Sequence, residues 1–332
     1  MRTIVFAGEH KQFSGLRLAA ALVTTLLGRG EDAWLASAGG DLPTYLQLPM
    51  LAVPSKTTAK SLESFLKKQS IERVISFAYL PVCQAAAHLH VPFVYVEPEN
   101  FKGNKIVKNK KELLAQATRV VVIGTDDKPI SNNVYPVGTV RVANPAIWVE
   151  HYNYQKPRCF KKENNIVAAG PFNKEGGFDV LLETWARLAP AHPTWHLTLV
   201  GYGTGKDNLQ KFIAQHMLQQ STELMDAQTD LYSLLRNADI YVNPARTALG
   251  LNELLDAMAS KLPVISTDVP GADHYVQNSI NGVLVNIGEE EPLTVALDEL
   301  MVNWGKRVGM AIEASKHKER FPFDEFYSKV LL

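Results

Sequence analysis

The sequence has little cysteine and no net charge. Its 332 residues include two cysteines, Cys83 and Cys159, whose separation matches no metal-binding or redox spacing. This usage fits a reducing compartment. The 34 lysines and arginines balance 34 aspartates and glutamates, which argues against a dedicated nucleic-acid-binding protein. No apolar run approaches the roughly 18 residues of a membrane span, and MRTIVFAGEH predicts a strand rather than a signal peptide. We therefore expect a cytoplasmic protein.

Several familiar nucleotide-binding and hydrolase motifs are also missing. GEHKQFSG, after the first predicted strand, lacks the GxGxxG spacing, and GYGTG at 201–205 is followed by Lys206, which misplaces the third glycine. There is no Walker lysine–serine motif, zinc-ligand spacing or Gly-x-Ser-x-Gly. His88 and His90 are two residues apart and fall on different faces of a helix. A dinucleotide-dependent dehydrogenase is therefore disfavoured.

Strand-like runs alternate with helical patterns along both halves of the chain. Near-continuous apolar strands joined by helices indicate a parallel sheet covered on both faces. The predicted strands are TIVFA (3–7), DAWLA (32–36), RVISFA (73–78), FVYVE (93–97), RVVVIG (119–124), NIVAAG (165–170), HLTLVG (196–201), DIYVN, PVIST and GVLVN (282–286). The fold class is therefore α/β, with two doubly wound Rossmann-like domains facing one another across a cleft.

The pattern also predicts the domain bounds. The stretch 144–165 has no clean periodicity and carries two prolines, so we place the interdomain hinge there. The first domain is expected over 1–145 and the second over 160–318. A final helix, 320–332, is expected to cross back to the first domain.

One loop and helix suit an anion. In NPARTALGLNELLDAMASKLPVISTD (243–268), two strand-like runs flank a loop and a helix that opens at Gly250. Backbone N–H groups at a helix N-terminus bind anionic groups. The question is whether this segment only holds the anion or also performs chemistry on it.

The second half resembles the nucleotide-sugar-binding domain of GT-B glycosyltransferases, in particular the large retaining family 4. The pieces that carry the resemblance occur in the family's order: NIVAAGPFNKEGGFDVLLETW, HLTLVGYG, DLYSLLRNADIYVNP, LLDAMASKLPVISTDVPGADHYV and NGVLV. They cover about 165–286. The first half resembles the acceptor domain of the same fold more loosely.

The resemblance implies a donor site for a nucleoside diphosphate sugar, with a UDP-sugar expected. Asp256 occupies the position of the family's second glutamate and would bind the ribose, although a solvated helix carboxylate is the alternative. Gly201 and Gly203 would permit close approach to the nucleotide, or form a plain turn. The backbone of Met225, Asp226 and Ala227 would flank the base. The full set of expected donor-binding residues is Ser14, Gly15, Gly201, Gly203, Ala227, Thr247, Ala248, Leu249, Gly250, Leu251 and Asp256.

Several catalytic positions of the family are changed. The arginine and lysine that meet the leaving diphosphate correspond to Pro171 and Gly176, so Lys174 and Arg246 are the candidate replacements, or are ordinary surface cations.

The donor-sugar glutamate corresponds to Ala248, or to Thr247 if one residue is inserted. Glu253 is close in sequence but lies on the other side of the loop. The turn glutamate after the last glycine is replaced by His274. In the first domain, Glu97 and Glu99 would contact sugar hydroxyls, or would simply be solvated at a strand end.

A group of lysines lies in NFKGNKIVKNKKELL, residues 100–114, which is predicted to form a loop and the start of a helix. Spread over one face, they would attract anionic lipid at roughly 1 kcal/mol each, and would suit a lipid-linked acceptor at the inner face of a membrane. A solvated loop and helix start is the alternative. The lysines are Lys102, Lys105, Lys108, Lys110 and Lys111.

The sequence therefore favours an enzyme that moves a sugar from a nucleotide donor to a hydroxyl of a glycan or lipid-linked acceptor in surface polysaccharide or glycoconjugate synthesis. Retention of anomeric configuration, and the lack of any bound metal or cofactor, are implied by the resemblance alone. Two alternatives stay open. One is a non-catalytic relative that binds a partner enzyme or glycan, and the other is a sugar-nucleotide epimerase of the same architecture.

Overall fold

The computed structural model describes residues 1–9, 13–38, 42, 46–53, 58–97, 110–123, 140–143, 164–226, 230–316 and 321–332. The chain divides into two compact units. Unit 1 comprises Met1–Trp148 and Phe323–Leu332, and unit 2 comprises Val149–Pro322. The predicted hinge, 144–165, lies almost entirely outside the described residues. The final helix, expected over 320–332, spans Phe323–Leu331 and belongs to unit 1.

Unit 1 is built on a parallel sheet of six strands in the order β2-β1-β3-β4-β5-β6. The strands are β1 (Arg2–Glu9), β2 (Asp32–Ala38), β3 (Arg73–Phe77), β4 (Phe93–Glu97), β5 (Arg119–Ile123) and β6 (Val140–Ala143). The helices are α1 (Phe13–Gly28), α2 (Ala59–Lys68), α3 (Leu80–His88) and α4 (Lys110–Leu114).

Both faces of the unit 1 sheet are buried. Ile4 and Phe6 of β1 pack with residues of α2, α3 and α4, whereas Val5 and Ala7 pack with α1 and the C-terminal helix. Successive side chains of a strand point to opposite faces. The central part of a strand that is covered on both faces is therefore apolar at successive positions, as Ile4, Val5, Phe6 and Ala7 of β1 are.

Unit 2 repeats this architecture with the strand order β12-β11-β10-β7-β8-β9, all parallel. The strands are β7 (Asn165–Pro171), β8 (His196–Tyr202), β9 (Thr222–Asp226), β10 (Ile240–Asn243), β11 (Val264–Thr267) and β12 (Gly282–Val285). The helices are α5 (Phe178–Leu188), α6 (Lys206–Gln215), α7 (Leu231–Arg236), α8 (Leu251–Ala259), α9 (Glu290–Val302) and α10 (Trp304–Ser315), and the C-terminal helix of unit 1 is α11.

The order of strands in unit 2 fixes where a ligand can bind. From β7 the chain winds outward through β8 and β9, and then returns to the other side of β7 to form β10. The direction of winding therefore reverses between β7 and β10. In open parallel sheets ligands bind at this reversal, outside the carboxyl ends of the strands. The two loops that follow β7 and β10 border that crevice.

Each unit is thus a doubly wound α/β sheet, which confirms the predicted fold class. Two edge strands, β6 and β9, are absent from the sequence-based prediction. None of the helices in the described part of the chain combines the length and apolar character that a membrane crossing requires.

Candidate functional site

The loop after β10 leads into the most enclosed helix of unit 2. Every residue of α8, Leu251–Ala259, is buried. Gly250 begins the helix with φ 77°, a left-handed conformation that favours glycine. A Cβ atom at this position would lie 2.7 Å from Oδ1 of Asn243. The predicted helix start at Gly250 is therefore confirmed, and its N-terminal amides lie at the carboxyl edge of the sheet.

Asn243, at the end of β10, holds this loop through side-chain hydrogen bonds. Its buried side chain donates from Nδ2 to the carbonyl oxygen of Leu249 at 3.1 Å and to Oγ of Ser266 at 3.4 Å. Asn243 was not among the predicted site residues. The available signal was the polar residue at the end of an otherwise apolar strand, because a buried amide requires partners.

The loop after β7 packs directly on the loop after β10. Gly177 has φ 71°, and a Cβ atom there would lie 1.8 Å from the carbonyl oxygen of Pro244. Asn173 caps the short 3-10 helix Lys174–Gly176 by accepting a hydrogen bond from the amide of Gly176 at 3.0 Å. The two loops at the crevice are therefore in backbone contact.

Arg246 ties the same two loops together through its side chain. Nη1 donates to Oδ1 of Asp179 at 2.7 Å, and Nη2 donates to Oδ2 at 2.9 Å. Nη1 also donates to the carbonyl oxygen of Lys174 at 2.7 Å, and the backbone amide of Arg246 donates to that of Glu175 at 2.7 Å. The hydrogen bond and charge of Asp179 raise the pKa of Arg246. The guanidinium proposed as a diphosphate ligand thus already holds a carboxylate.

The other candidate cation, Lys174, has a different environment. It lies in the 3-10 helix at the carboxyl end of β7 and is exposed to solvent. Its backbone carbonyl oxygen accepts a hydrogen bond from Arg246, and among the described residues its ammonium group forms no ion pair. Lys174 and the N-terminus of α8 therefore border the same crevice.

Gly201, in β8, and Gly203, directly after it, allow close approach to neighbouring backbone. A Cβ atom on Gly201 would lie 2.1 Å from the carbonyl oxygen of Gly170, in the neighbouring strand. Gly203 has φ 125°, and a Cβ atom there would meet the carbonyl oxygen of Phe172 at 3.1 Å. These contacts explain both residues without a ligand. Their predicted role in approaching a nucleotide stays a prediction.

Asp256 and Glu253 occupy one face of α8. They are three residues apart, which places them about one turn from each other, and both are buried. Burial raises the pKa of Tyr202, at the end of β8, to about 12, and the negative charge of Glu253 adds to this effect. Glu253, in the first turn of α8, is therefore close enough to the end of β8 for its charge to act on Tyr202. From the sequence, Glu253 was considered as a replacement for the donor-sugar glutamate and set aside, because it lies on the other side of the loop.

The remaining predicted residues have varied positions. Thr247 is partly exposed and Ala248 is buried, and both lie in the loop before α8. The backbone of Ser14 and Gly15 lies in the first turn of α1 rather than in an open turn. Asp226 ends β9, where its carboxylate accepts a 2.6 Å hydrogen bond from Lys206. Ala227 and Glu99 lie outside the described residues.

In unit 1, the solvated alternative for Glu97 and one member of the lysine group need correction, while contact of Glu97 with sugar hydroxyls stays a prediction. Glu97 is not solvated at its strand end, because its side chain is 5% exposed and accepts a 2.9 Å hydrogen bond from Lys110, whose side chain is 11% exposed. Lys110 therefore does not present its charge to an anionic surface. Lys111 is exposed, and Lys102, Lys105 and Lys108 lie outside the described residues.

Among the described residues, no cluster of three or more His, Cys, Asp or Glu side chains could hold a metal ion.

The chain contains two doubly wound parallel units. The second unit carries glycine-containing loops and a helix N-terminus at its point of reversal. This architecture is the GT-B class of glycosyltransferase fold. Residues 153–317, which lie within unit 2, match the family described as glycosyl transferases group 1. This match confirms, for unit 2, the predicted resemblance to group 1 glycosyltransferases of the GT-B fold.

Relatives and solved structures agree with this assignment. An uncharacterized glycosyltransferase of Haemophilus influenzae is 25% identical over 86% of each chain. The lipopolysaccharide core biosynthesis glycosyltransferase LpsE of Rhizobium meliloti is 29% identical, over 44% of this chain and 42% of its own. The crystal structure of Anabaena HepE in complex with UDP and glucose superposes with a TM-score of 0.76 at 13% identity, over 99% of this chain and 98% of that one. At that identity the likeness shows the fold alone.

Proposed function

We propose that this protein transfers a sugar from a nucleotide diphosphate sugar, first of all a UDP-sugar, to a hydroxyl group of a glycan or lipid-linked acceptor in surface polysaccharide or glycoconjugate synthesis. The observation that carries the proposal is the position of α8. Its N-terminus lies at the β7/β10 reversal of a unit that matches the glycosyl transferases group 1 family, and the helix carries the buried Asp256. The UDP complex of HepE and the pathway of LpsE support the choice of donor and product.

In this proposal the protein's own groups recognise the donor. The amides at the start of α8 and the ammonium of Lys174 meet the diphosphate, which gains negative charge as the sugar leaves. Asp256 accepts the ribose hydroxyls. Protein amides and a cation then supply the stabilisation for which other transferases use a metal ion. Retention of configuration follows the family resemblance.

Calorimetric titration with UDP, GDP and ADP tests the donor site. We expect micromolar binding of UDP by the wild-type protein and its loss in Asp256→Asn, which keeps the size of the buried side chain. Asp239→Asn is the matched control, because Asp239 is also buried but directly precedes β10, at the amino end of the strands. There its Oδ2 accepts a hydrogen bond from the backbone amide of Asn165. If no nucleotide binds, the proposal is wrong, and the fold serves contacts with another enzyme or a glycan.

Turnover separates the remaining alternatives. A transferase is expected to hydrolyse its donor slowly without acceptor, and this activity is expected to fall in Lys174→Ala. An epimerase would instead interconvert free nucleotide sugars. Binding without hydrolysis or interconversion would indicate a non-catalytic relative.

The lysine group is tested separately by sedimentation with vesicles that contain or lack anionic lipid. We propose that a variant with Lys102, Lys105, Lys108 and Lys111 changed to Gln loses binding to the anionic vesicles. Equal sedimentation of the wild-type protein with both kinds of vesicle would refute a peripheral membrane contact.

A further inference from the structure

Arg246 and Asp179 form a bridge across the point where the winding of unit 2 reverses. Arg246 lies in the loop after β10, and Asp179 lies in the first turn of α5, directly after the loop that follows β7. These two loops border the crevice in which a ligand of this sheet type binds. The bridge therefore connects the two walls of the candidate donor site.

The contacts of Arg246 are numerous and mutually consistent. The guanidinium pairs in a fork with both oxygens of Asp179, a geometry that lysine cannot reproduce. Its third contact, to the carbonyl oxygen of Lys174, and its backbone contact, to that of Glu175, both reach the 3-10 helix after β7. The side chain is 23% exposed, against 54% for that of Asp179. Four hydrogen bonds, two to the 3-10 helix after β7 and two to the first turn of α5, indicate a fixed connection rather than a cation held ready for a ligand.

The consequence of this bridge concerns Lys174. The carbonyl oxygen of Lys174 accepts a hydrogen bond from Arg246, and the exposed side chain of Lys174 carries the other candidate cation. Gly177, three residues later, is in backbone contact with Pro244. The bridge and this contact together fix the backbone of Lys174 relative to the segment 244–250, which leads into α8.

We propose that Arg246, through Asp179, is a positioning residue that holds Lys174 and the N-terminus of α8 in one arrangement for the donor diphosphate, and does not itself contact the donor. This inference rests on the proposed function. It assigns the two candidate cations different tasks: Lys174 meets the diphosphate, and Arg246 acts through the loops. Misplacement of binding groups by about 1 Å costs on the order of 100-fold in activity, so the bridge is expected to matter although it lies outside the contact surface.

UDP titration and donor-hydrolysis kinetics on a set of variants test this assignment. Arg246→Ala and Asp179→Ala are each expected to weaken UDP binding by about 10- to 100-fold, and the double variant is expected to be no weaker than either single one, because both changes remove the same bridge. Arg246→Lys keeps the charge without the fork and is expected to be weakened as well. Exchange of the pair, Arg246→Asp with Asp179→Arg, is expected to restore part of the affinity.

Arg187→Ala is the matched control. Arg187 lies on α5 and pairs with Glu290 at 3.3 Å and Glu291 at 2.9 Å, so its removal also deletes an arginine–carboxylate contact of unit 2, but not at the crevice. Its UDP affinity and KM are expected to match the wild type. Weakened binding in Arg187→Ala equal to that in Arg246→Ala would mean that general loss of ion pairs, and not positioning, explains the effect.

Two further outcomes overturn the inference in distinguishable ways. If Arg246→Ala loses UDP binding while Asp179→Ala keeps or tightens it, Arg246 contacts the diphosphate directly and only the positioning role is wrong. If the wild-type protein binds no nucleotide, the proposed function fails, and the role of the bridge at a donor site fails with it.

Discussion

The ammonium group of Lys110, at the start of α4, lies 2.9 Å from the carboxylate of Glu97, at the end of β4. Lys110 also lies over the ring of Tyr95, with Nζ 5.4 Å from the ring centroid. Both charged side chains are removed from water, so each depends on the other for compensation.

This pair leads to a prediction about stability. Glu97→Gln and Lys110→Met are each expected to lower the free energy of unfolding by ~3–5 kcal/mol, because each leaves one uncompensated buried charge. The double variant is expected to lose much less. Lys111→Met is the control, since Lys111 is exposed and such changes stay within about 0.5 kcal/mol. Urea unfolding measures all four, and equal stability of the Lys110 and Lys111 variants would contradict a buried pair.

A second prediction concerns the backbone contact between the two loops of the crevice. Gly177→Ala is expected to lower the free energy of unfolding by about 1–3 kcal/mol, because the residue has φ 71° and its new Cβ would lie 1.8 Å from a backbone oxygen. Gly309→Ala in α10 provides the comparison. A Cβ atom there meets nothing within 4 Å. Replacing this helical glycine with alanine is therefore expected to raise the free energy of unfolding by ~0.5–1 kcal/mol. A neutral Gly177→Ala variant would show that the loops are not in contact.

A third prediction concerns Tyr202, whose pKa is raised to about 12 by burial and by the negative charge of Glu253. The phenolate absorbance assigned to Tyr202, from the difference between wild type and Tyr202→Phe, is expected to develop only near that pH. Glu253→Gln is expected to lower the pKa while leaving it above the ordinary value of 10.0, because burial is the larger cause. An unchanged titration in Glu253→Gln would place Glu253 away from the end of β8.

A fourth prediction concerns the pH dependence of the bridge. Burial acts to raise the pKa of Asp179, but the hydrogen bond and charge of Arg246 outweigh it and lower the pKa below its ordinary value of 3.8. A depressed folded-state pKa contributes stability that is present above the unfolded value and is lost as the pH falls through the folded value. The wild-type protein is therefore expected to have a higher free energy of unfolding than Asp179→Asn. This difference is expected to be largest at neutral pH and to fade as the pH falls below about 4.

The control for this fourth prediction is the same substitution in an Arg246→Ala background. There the carboxylate has lost the partner that lowers its pKa, so the difference is expected to be small at neutral pH. A difference that stays constant from neutral to acid pH in the wild-type background would mean that the Asp179 carboxylate does not depend on Arg246.

The central strands were predictable because burial on both faces leaves an unbroken apolar run. FVYVE was predicted at 93–97 and β4 spans the same residues. Two of the edge strands, β6 and β9, were not predicted in this way. In β9, Thr222–Asp226, no residue is fully buried, so the hydrophobic pattern is weak, and pairing with β8 determines the strand.

The candidate site was predictable where local chemistry sets it. The helix that opens at Gly250 is a feature of a short segment, and it was predicted from the sequence, whereas the left-handed conformation of Gly250 came from the structure. The partners of charged side chains were not predictable. Arg246 and Asp179 are 67 residues apart, and nothing near either one in the sequence identifies the other.

By itself, the sequence determined the alternation of strands and helices, the two doubly wound units and the glycosyl transferase pattern of the second one, because these depend on periodicity, glycine positions and the order of short motifs. Only the tertiary structure decided which charges are available. It buried Lys110 against Glu97 and joined Arg246 to Asp179, while Lys174 stays exposed at the crevice. The physical reason is that the state of a charge depends on what the fold brings within a few ångströms of it, and those neighbours come from distant parts of the chain.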